Sequence, residues 1–175
     1  MTSILLNLPA LQRPKLMLYR GLAAINKIKP GAAVAIGNFD GMHIGHKKLL
    51  ATLKETAKQY DTESLVILFE PHPKEYFNKQ GTCSRIMSLK EKYLYLRQYG
   101  IDLVLCLRFN SQLLNTSHQI FFNSILKDQL QVQALILGSN FCFGKNRLGN
   151  IDYLKLESRL NNIDLHVIQS CVVNK

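Results

Sequence analysis

The stretch Ala32-Ala33-Val34-Ala35-Ile36-Gly37-Asn38-Phe39-Asp40-Gly41-Met42-His43-Ile44-Gly45-His46 decides how the rest of the chain is read. An apolar run of strand length gives way to a glycine-rich turn and then to an amphipathic segment. Gly37, Gly41 and Gly45 allow the backbone to turn tightly and to approach a ligand closely. The helix expected to follow, over 45–60, opens with free N–H groups and about half a positive charge, a seat suited to phosphate. His43 and His46 stand three residues apart at that seat, where both imidazoles can face a polyphosphate.

Outward from this turn, strands and helices alternate. Residues 15–20 read as a short edge strand, followed by a loop through Pro30 and Gly31. The 45–60 helix carries Leu49, Leu50, Leu53 and Ala57 on one face, with lysines opposite. The uniformly apolar run 64–69 reads as a strand buried on both faces. Glu70-Pro71-His72-Pro73 then predicts a loop that neither continues a sheet nor begins an ordinary helix. Ser88 with Glu91 forms a capping box for a helix that Gly100 stops near residue 99. A strand over 102–109, a helix over 115–130 with Ile120, Phe121, Ile125 and Leu126 inward, a strand over 134–137, a helix over 151–160 and a strand over 164–170 complete the pattern. Such alternation implies an α/β fold, a parallel sheet with helices on both faces.

The chain has 175 residues, enough for one domain with a sizeable core. Its formal charge of +10 favours anionic partners without choosing among nucleic acid, membrane surfaces and phosphorylated small molecules. Cys83, Cys106, Cys142 and Cys171 show no paired spacing, so reduced thiols are expected rather than a disulfide framework or zinc site. The apolar start, residues 1–11, lacks a basic lead-in and is broken by Asn7 and Pro9. No membrane span or signal peptide is read there, and a cytoplasmic protein is expected. No nucleic-acid-binding signature is found either.

Taken alone, an H-x-x-H spacing is weak evidence, and either histidine reads more readily as a helix-start residue bonded to the backbone than as a ligand. The flanking glycines, the preceding strand and the absence of any packing need for either ring favour the ligand reading. Two further stretches, Phe69-Glu70-Pro71-His72-Pro73 and Leu137-Gly138-Ser139-Asn140-Phe141-Cys142-Phe143-Gly144-Lys145, are expected at the ends of adjacent strands, on the same rim. In the second, Lys145 and Arg147 can reach for phosphate, while Phe141 and Phe143 suit an apolar slot or the core equally well. This stretch is not a Walker loop: five residues separate its glycines, and Asn146 follows the lysine where Ser or Thr is required. Glu70 reads as a general base or a helix cap. Lys47, Lys48, Lys54 and Lys58 read as a solvated face, and His118 and His166 as structural.

The three blocks Gly37-Asn38-Phe39-Asp40-Gly41-x-His43-x-Gly45-His46, Phe69-x-Pro71-His72-Pro73 and Gly138-x-Asn140-Phe141-x-Phe143-Gly144 together resemble the bacterial bifunctional riboflavin kinase/FMN adenylyltransferase (FAD synthetase) family. The match is to its N-terminal adenylyltransferase module and runs over essentially the whole chain. Arg85 before a capped helix and Phe109-Asn110 at a strand end agree with it. The resemblance implies a Rossmann-like nucleotidylyltransferase fold and Mg²⁺-dependent transfer of AMP from ATP to FMN. It makes His43 and His46 the catalytic pair on the ATP phosphates. Gly37, Asn38, Phe39, Asp40 and Gly45 shape the ATP site, and Asn140, Phe141, Pro71 and His72 lie near FMN. The partners implied are these two nucleotides, not nucleic acid or membrane.

Two departures from the family pattern stand out. Ser139-Asn140 occupies the place of an acidic pair. The family's later Ser-Ser-Thr-x-x-Arg segment and its riboflavin kinase domain find no counterpart in these residues. The expectation is therefore one adenylyltransferase domain over 1–175, shortened at its C-terminal end, without riboflavin kinase activity. A nucleotidylyltransferase with another acceptor and a non-catalytic flavin- or nucleotide-binding module are the competing readings.

Overall fold

The computed structural model describes residues 16–78 and 85–169. Six strands form one sheet: β1 (Met17–Arg20), β2 (Ala33–Ile36), β3 (Ser64–Glu70), β4 (Leu103–Arg108), β5 (Ala134–Gly138) and β6 (Asp164–Ile168). All pairings are parallel, in the order β1-β4-β3-β2-β5-β6. The chain winds from β2 outward through β3 to β4, then returns to the other side of β2 for β5 and β6. The direction reverses between β2 and β5, and in open parallel sheets the crevice at such a reversal is where ligands bind. The two stretches expected at adjacent strand ends follow β3 and β5, which are not neighbours: β2 lies between them. They flank the glycine-rich turn instead.

Alternate strand residues enter two cores. Ala33, Ala35, Val66, Leu68, Val104 and Ile136 face α1 (Ile44–Gln59), Leu96 of α3 (Leu89–Gln98) and Ile101 just after it. Val34, Ile36, Leu65, Ile67, Leu105 and Leu135 face Phe122, Ile125, Leu126 and Leu154. Strands buried on both faces must be apolar throughout, which is why residues 64–69 show no alternation. Among the described residues no helix is long and apolar enough to cross a membrane. Cys106 and Cys142 are free thiols; Cys83 and Cys171 lie outside the described residues.

Two segments differ from expectation. The Pro-His-Pro loop does begin a helix, α2 (Pro73–Phe77). Pro73 stands in its first turn, where a missing N–H costs nothing, and His72 caps it, accepting from the Lys74 N–H at 3.1 Å. The expected 115–130 helix starts later, as a turn of α5 (His118–Ile120) capped by Ser117 that runs into a π-helix (Phe121–Gln129), and a separate short helix, α4 (Ser111–Asn115), precedes it. The wider i→i+5 winding buries Phe121, Phe122, Ile125 and Leu126 and turns Ile120 out to 56 % exposure.

Candidate nucleotide site at the sheet's reversal point

His43 is the N-cap of α1 but makes no side-chain cap, so the first-turn N–H groups of this 16-residue helix receive none from it. Its ring instead stacks on His46, centroids 3.7 Å apart and planes 21° from parallel. Gly45 permits this, because a Cβ there would stand 3.1 Å from the His43 ring. Beneath the pair, the wholly buried Phe39 lies 5.0 Å from His46. Burial, reinforced by His43, lowers the His46 pKa to about 4, against an opposing pull from Asp40. His46 is therefore neutral at physiological pH. Its Nδ1 is buried without a partner, as is Oδ1 of Asn38.

Asp40 turns away from the rings. Its carboxylate accepts from the backbone N–H groups of Ile86 and Met87 at 2.9–3.2 Å, tying the turn to the segment leading into α3. Although its partial burial works the other way, these bonds and the charge of Lys92 bring its pKa below the ordinary value. Beside it, Arg85 bridges Glu70 at the end of β3 (2.7 Å) and Glu75 of α2 (2.8 Å).

A cavity of about 790 Å³ opens where β3, β2, β4 and β5 end. Gly37 and Asn38 form the wall shared with the histidine turn, and Phe69, Phe109, Phe121 and Phe141 supply much of the apolar lining. Asn140, Lys145 and Arg147 also border it. Gly144, with φ +72°, allows the 138–147 loop to pass so close to α5 that a Cβ would come 2.5 Å from the His118 nitrogen.

The structure thus brings Gly37, Asn38, Asn140, Phe141, Lys145 and Arg147 together around one cavity, with His43, His46 and Gly45 on the adjoining turn. Phe39 acts from below as packing, and Asp40 as a clamp. His72 is 8 % exposed and spends its Nδ1 on capping α2, and neither it nor Pro71 lines the cavity. Pro73 and Phe77 border the cavity from that loop instead. His118 stacks edge-on to Tyr153, and His166 meets Asp164 at 2.9 Å, both remote from the histidine turn in sequence and contact.

The parallel sheet, its reversal point and the N-terminal helix turn beside a large cavity define an α/β nucleotidyltransferase fold. Residues 25–175 match the family model described as FAD synthetase. The chain belongs to the FAD synthetase family. Proteins named bifunctional riboflavin kinase/FMN adenylyltransferase are similar to it: one from Buchnera aphidicola of Schizaphis graminum is 39% identical over 138 residues, covering 79% of this chain and 44% of that protein. The Haemophilus influenzae protein is 35% identical over 144 residues (82% and 47%). That of Escherichia coli K12 is 38% identical over 141 residues (80% and 44%). The chain spans less than half the length of these relatives. A crystal structure described as a macrolide-efflux protein from Streptococcus pneumoniae superposes with TM-score 0.68 at 22% identity, covering 91% of this chain and 59% of that one. At that identity the likeness concerns the fold alone.

Proposed function

We propose that this chain transfers AMP from ATP to FMN, forming FAD and pyrophosphate. The observation that carries the reading is the shared wall: Gly37 and Asn38 border the aromatic cavity on one side and lead into the His43–His46 turn on the other. A flavin ring suits a cavity walled by phenylalanines, and Lys145 and Arg147 favour an anionic ligand there. The triphosphate of ATP suits the uncapped start of α1. An FMN phosphate oxygen then bonds to the α-phosphorus of ATP while the bond from that phosphorus to the bridging oxygen of the β-phosphate breaks. Pyrophosphate leaves with the electron pair. Such a step needs positioning and electrostatic support rather than a covalent intermediate.

In this reading Nε2 of neutral His46 meets a phosphoryl oxygen, since its Nδ1 is enclosed. His43, exposed and stacked on it, adds a second ring at the departing pyrophosphate. Among the described residues no group of three or more His, Cys, Asp or Glu side chains gathers to hold a metal ion. Mg²⁺ is commonly held largely by substrate phosphates and water, so in this reading the ion enters with ATP.

The test is incubation with ATP, Mg²⁺ and FMN followed by chromatographic separation of flavins, with parallel binding titrations. FAD formation is expected. Binding of both ligands without product would favour a binding module, and failure to bind any flavin would remove the assignment.

A further inference from the structure

Lys92 is 2 % exposed, a lysine among the largest fully buried side chains of the molecule. Its position follows from spacing: Leu89, Lys92, Tyr93 and Leu96 fall at i, i+3, i+4 and i+7, the inward stripe of α3. A charged group seldom occupies such a stripe unless it is paired. Among the described residues no carboxylate forms an ion pair with it within 4 Å, yet Asp40, Glu70 and Glu75 surround it at longer range. These acids belong to three elements of the site: the 37–46 turn, the end of β3 and α2. With Arg85 they make a cluster of three carboxylates and two cations, to which His72 is joined through its backbone N–H on Glu75.

Resting on the adenylyl-transfer reading, we propose that Lys92 is a positioning residue for that reaction: its buried ammonium holds Asp40 and Glu70 in one fixed cluster, and thereby seats the histidine turn and the 70–77 segment together beneath the nucleotides. The link is already half visible. Asp40 bonds the 86–87 backbone directly, and Arg85, one residue earlier, bonds Glu70 and Glu75. Lys92, about one turn into the helix this segment opens, supplies the second cation of the cluster. Without it the cluster carries two uncompensated negative charges instead of one, and the acids have reason to swing toward water. Lys92 touches neither cavity nor helix start, so it acts through Asp40 and His46.

The groups facing His46 are His43 from the helix start, Asp40 from the turn and Lys92 from α3. Asp40 attracts a proton to the ring, whereas Lys92 and His43 repel it. Removing the Lys92 charge while Asp40 stays is expected to raise the His46 midpoint from about 4, which reports that the two groups share one cluster. A lysine that served stability alone would leave kcat of the folded variant at the native value.

The experiment uses Lys92→Met, which keeps length and loses charge. Its His46 imidazole is titrated by NMR without substrates, and steady-state FAD formation is measured alongside. An upward move of the midpoint is expected. With it should come a fall in kcat of about 10- to 100-fold, the scale of a small misplacement of reacting groups, at nearly unchanged KM for ATP and FMN. A folded Lys92→Met protein with unchanged kcat overturns the proposal, whether or not the midpoint moves. Should Lys92→Met not fold, Asp40→Asn in the otherwise native chain takes its place, read through the ¹⁵N signal of the Lys92 ammonium. That signal must shift when Asp40 is neutralised, and its failure to move overturns the proposal. If the native chain forms no FAD, the proposed function fails, while the two NMR measurements still decide whether the cluster is coupled.

Discussion

His46 holds a neutral ring in a place where burial and a stacked neighbour both oppose protonation. Its folded-state pKa of about 4 lies below the ordinary 6.5, so the unfolded chain binds the extra proton more readily. The resulting stability is fully present above pH 6.5 and drains away as pH falls through about 4. Burial lowers the His72 pKa too, and it adds in the same direction. Denaturant midpoints measured from pH 7 to 4 should fall, and His46→Gln should flatten that slope. The same substitution should cut kcat for FAD formation by about 10²–10³-fold, the usual loss for one preorganised donor, with FMN binding by fluorescence titration little altered. His43 and His46 were legible in the sequence because their partners are contiguous: strand, glycines and helix start lie within fifteen residues. Lys92 occupies the apolar stripe of α3, but a charge that directly follows Lys90 and Glu91 reads as solvated surface. Nothing local marks Phe69, Phe109 and Phe121 as walls of one cavity, since each arrives from a different element and only the sheet order unites them.

At the scale of elements, strand positions were readable from length and apolarity, whereas the segments between them depended on local bonding that patterns describe poorly. Two prolines around His72 suggested irregular chain, yet the second stands where a helix accepts proline, and the imidazole supplies the cap. Glu75 completes that cap by accepting from the His72 N–H at 3.1 Å and also receives Arg85. Glu75→Ala should therefore lower stability by about 1–2 kcal/mol, a typical cap loss with part of a partly buried ion pair added, measurable by urea denaturation. The 138–147 loop is held more strictly. Gly144→Ala adds a left-handed penalty of roughly 1–2 kcal/mol to a clash with the α5 backbone, so it should weaken FMN binding at least as strongly as it lowers the melting temperature. The helix over 121–129 was legible but its π winding was not, because both windings want an apolar face and differ only in which residues share it.

Over the whole molecule, the reversal between β2 and β5 places all of the candidate chemistry on one rim of the sheet. The opposite rim is occupied by joints such as Ser64 to Asp102, where hydroxyl and backbone N–H both meet one carboxylate at 2.6 and 2.9 Å. If two nucleotides share the upper rim, each should hold the fold: FMN at a hundred times its Kd should raise stability by about 2.7 kcal/mol, read as a thermal shift. ATP added with FMN should raise it further than FMN alone.

The uniform direction of the strands has a consequence for how the molecule comes to exist. Parallel neighbours cannot be joined by a hairpin, and β1 waits for β4, some 80 residues later, before it has any partner in the sheet. No part of the sheet can be rehearsed locally. Assembly rests on contacts distant in sequence, the wiring associated with slow folding and prolonged exposure of sticky strands, so a newly made chain should depend on chaperones well before it meets a nucleotide.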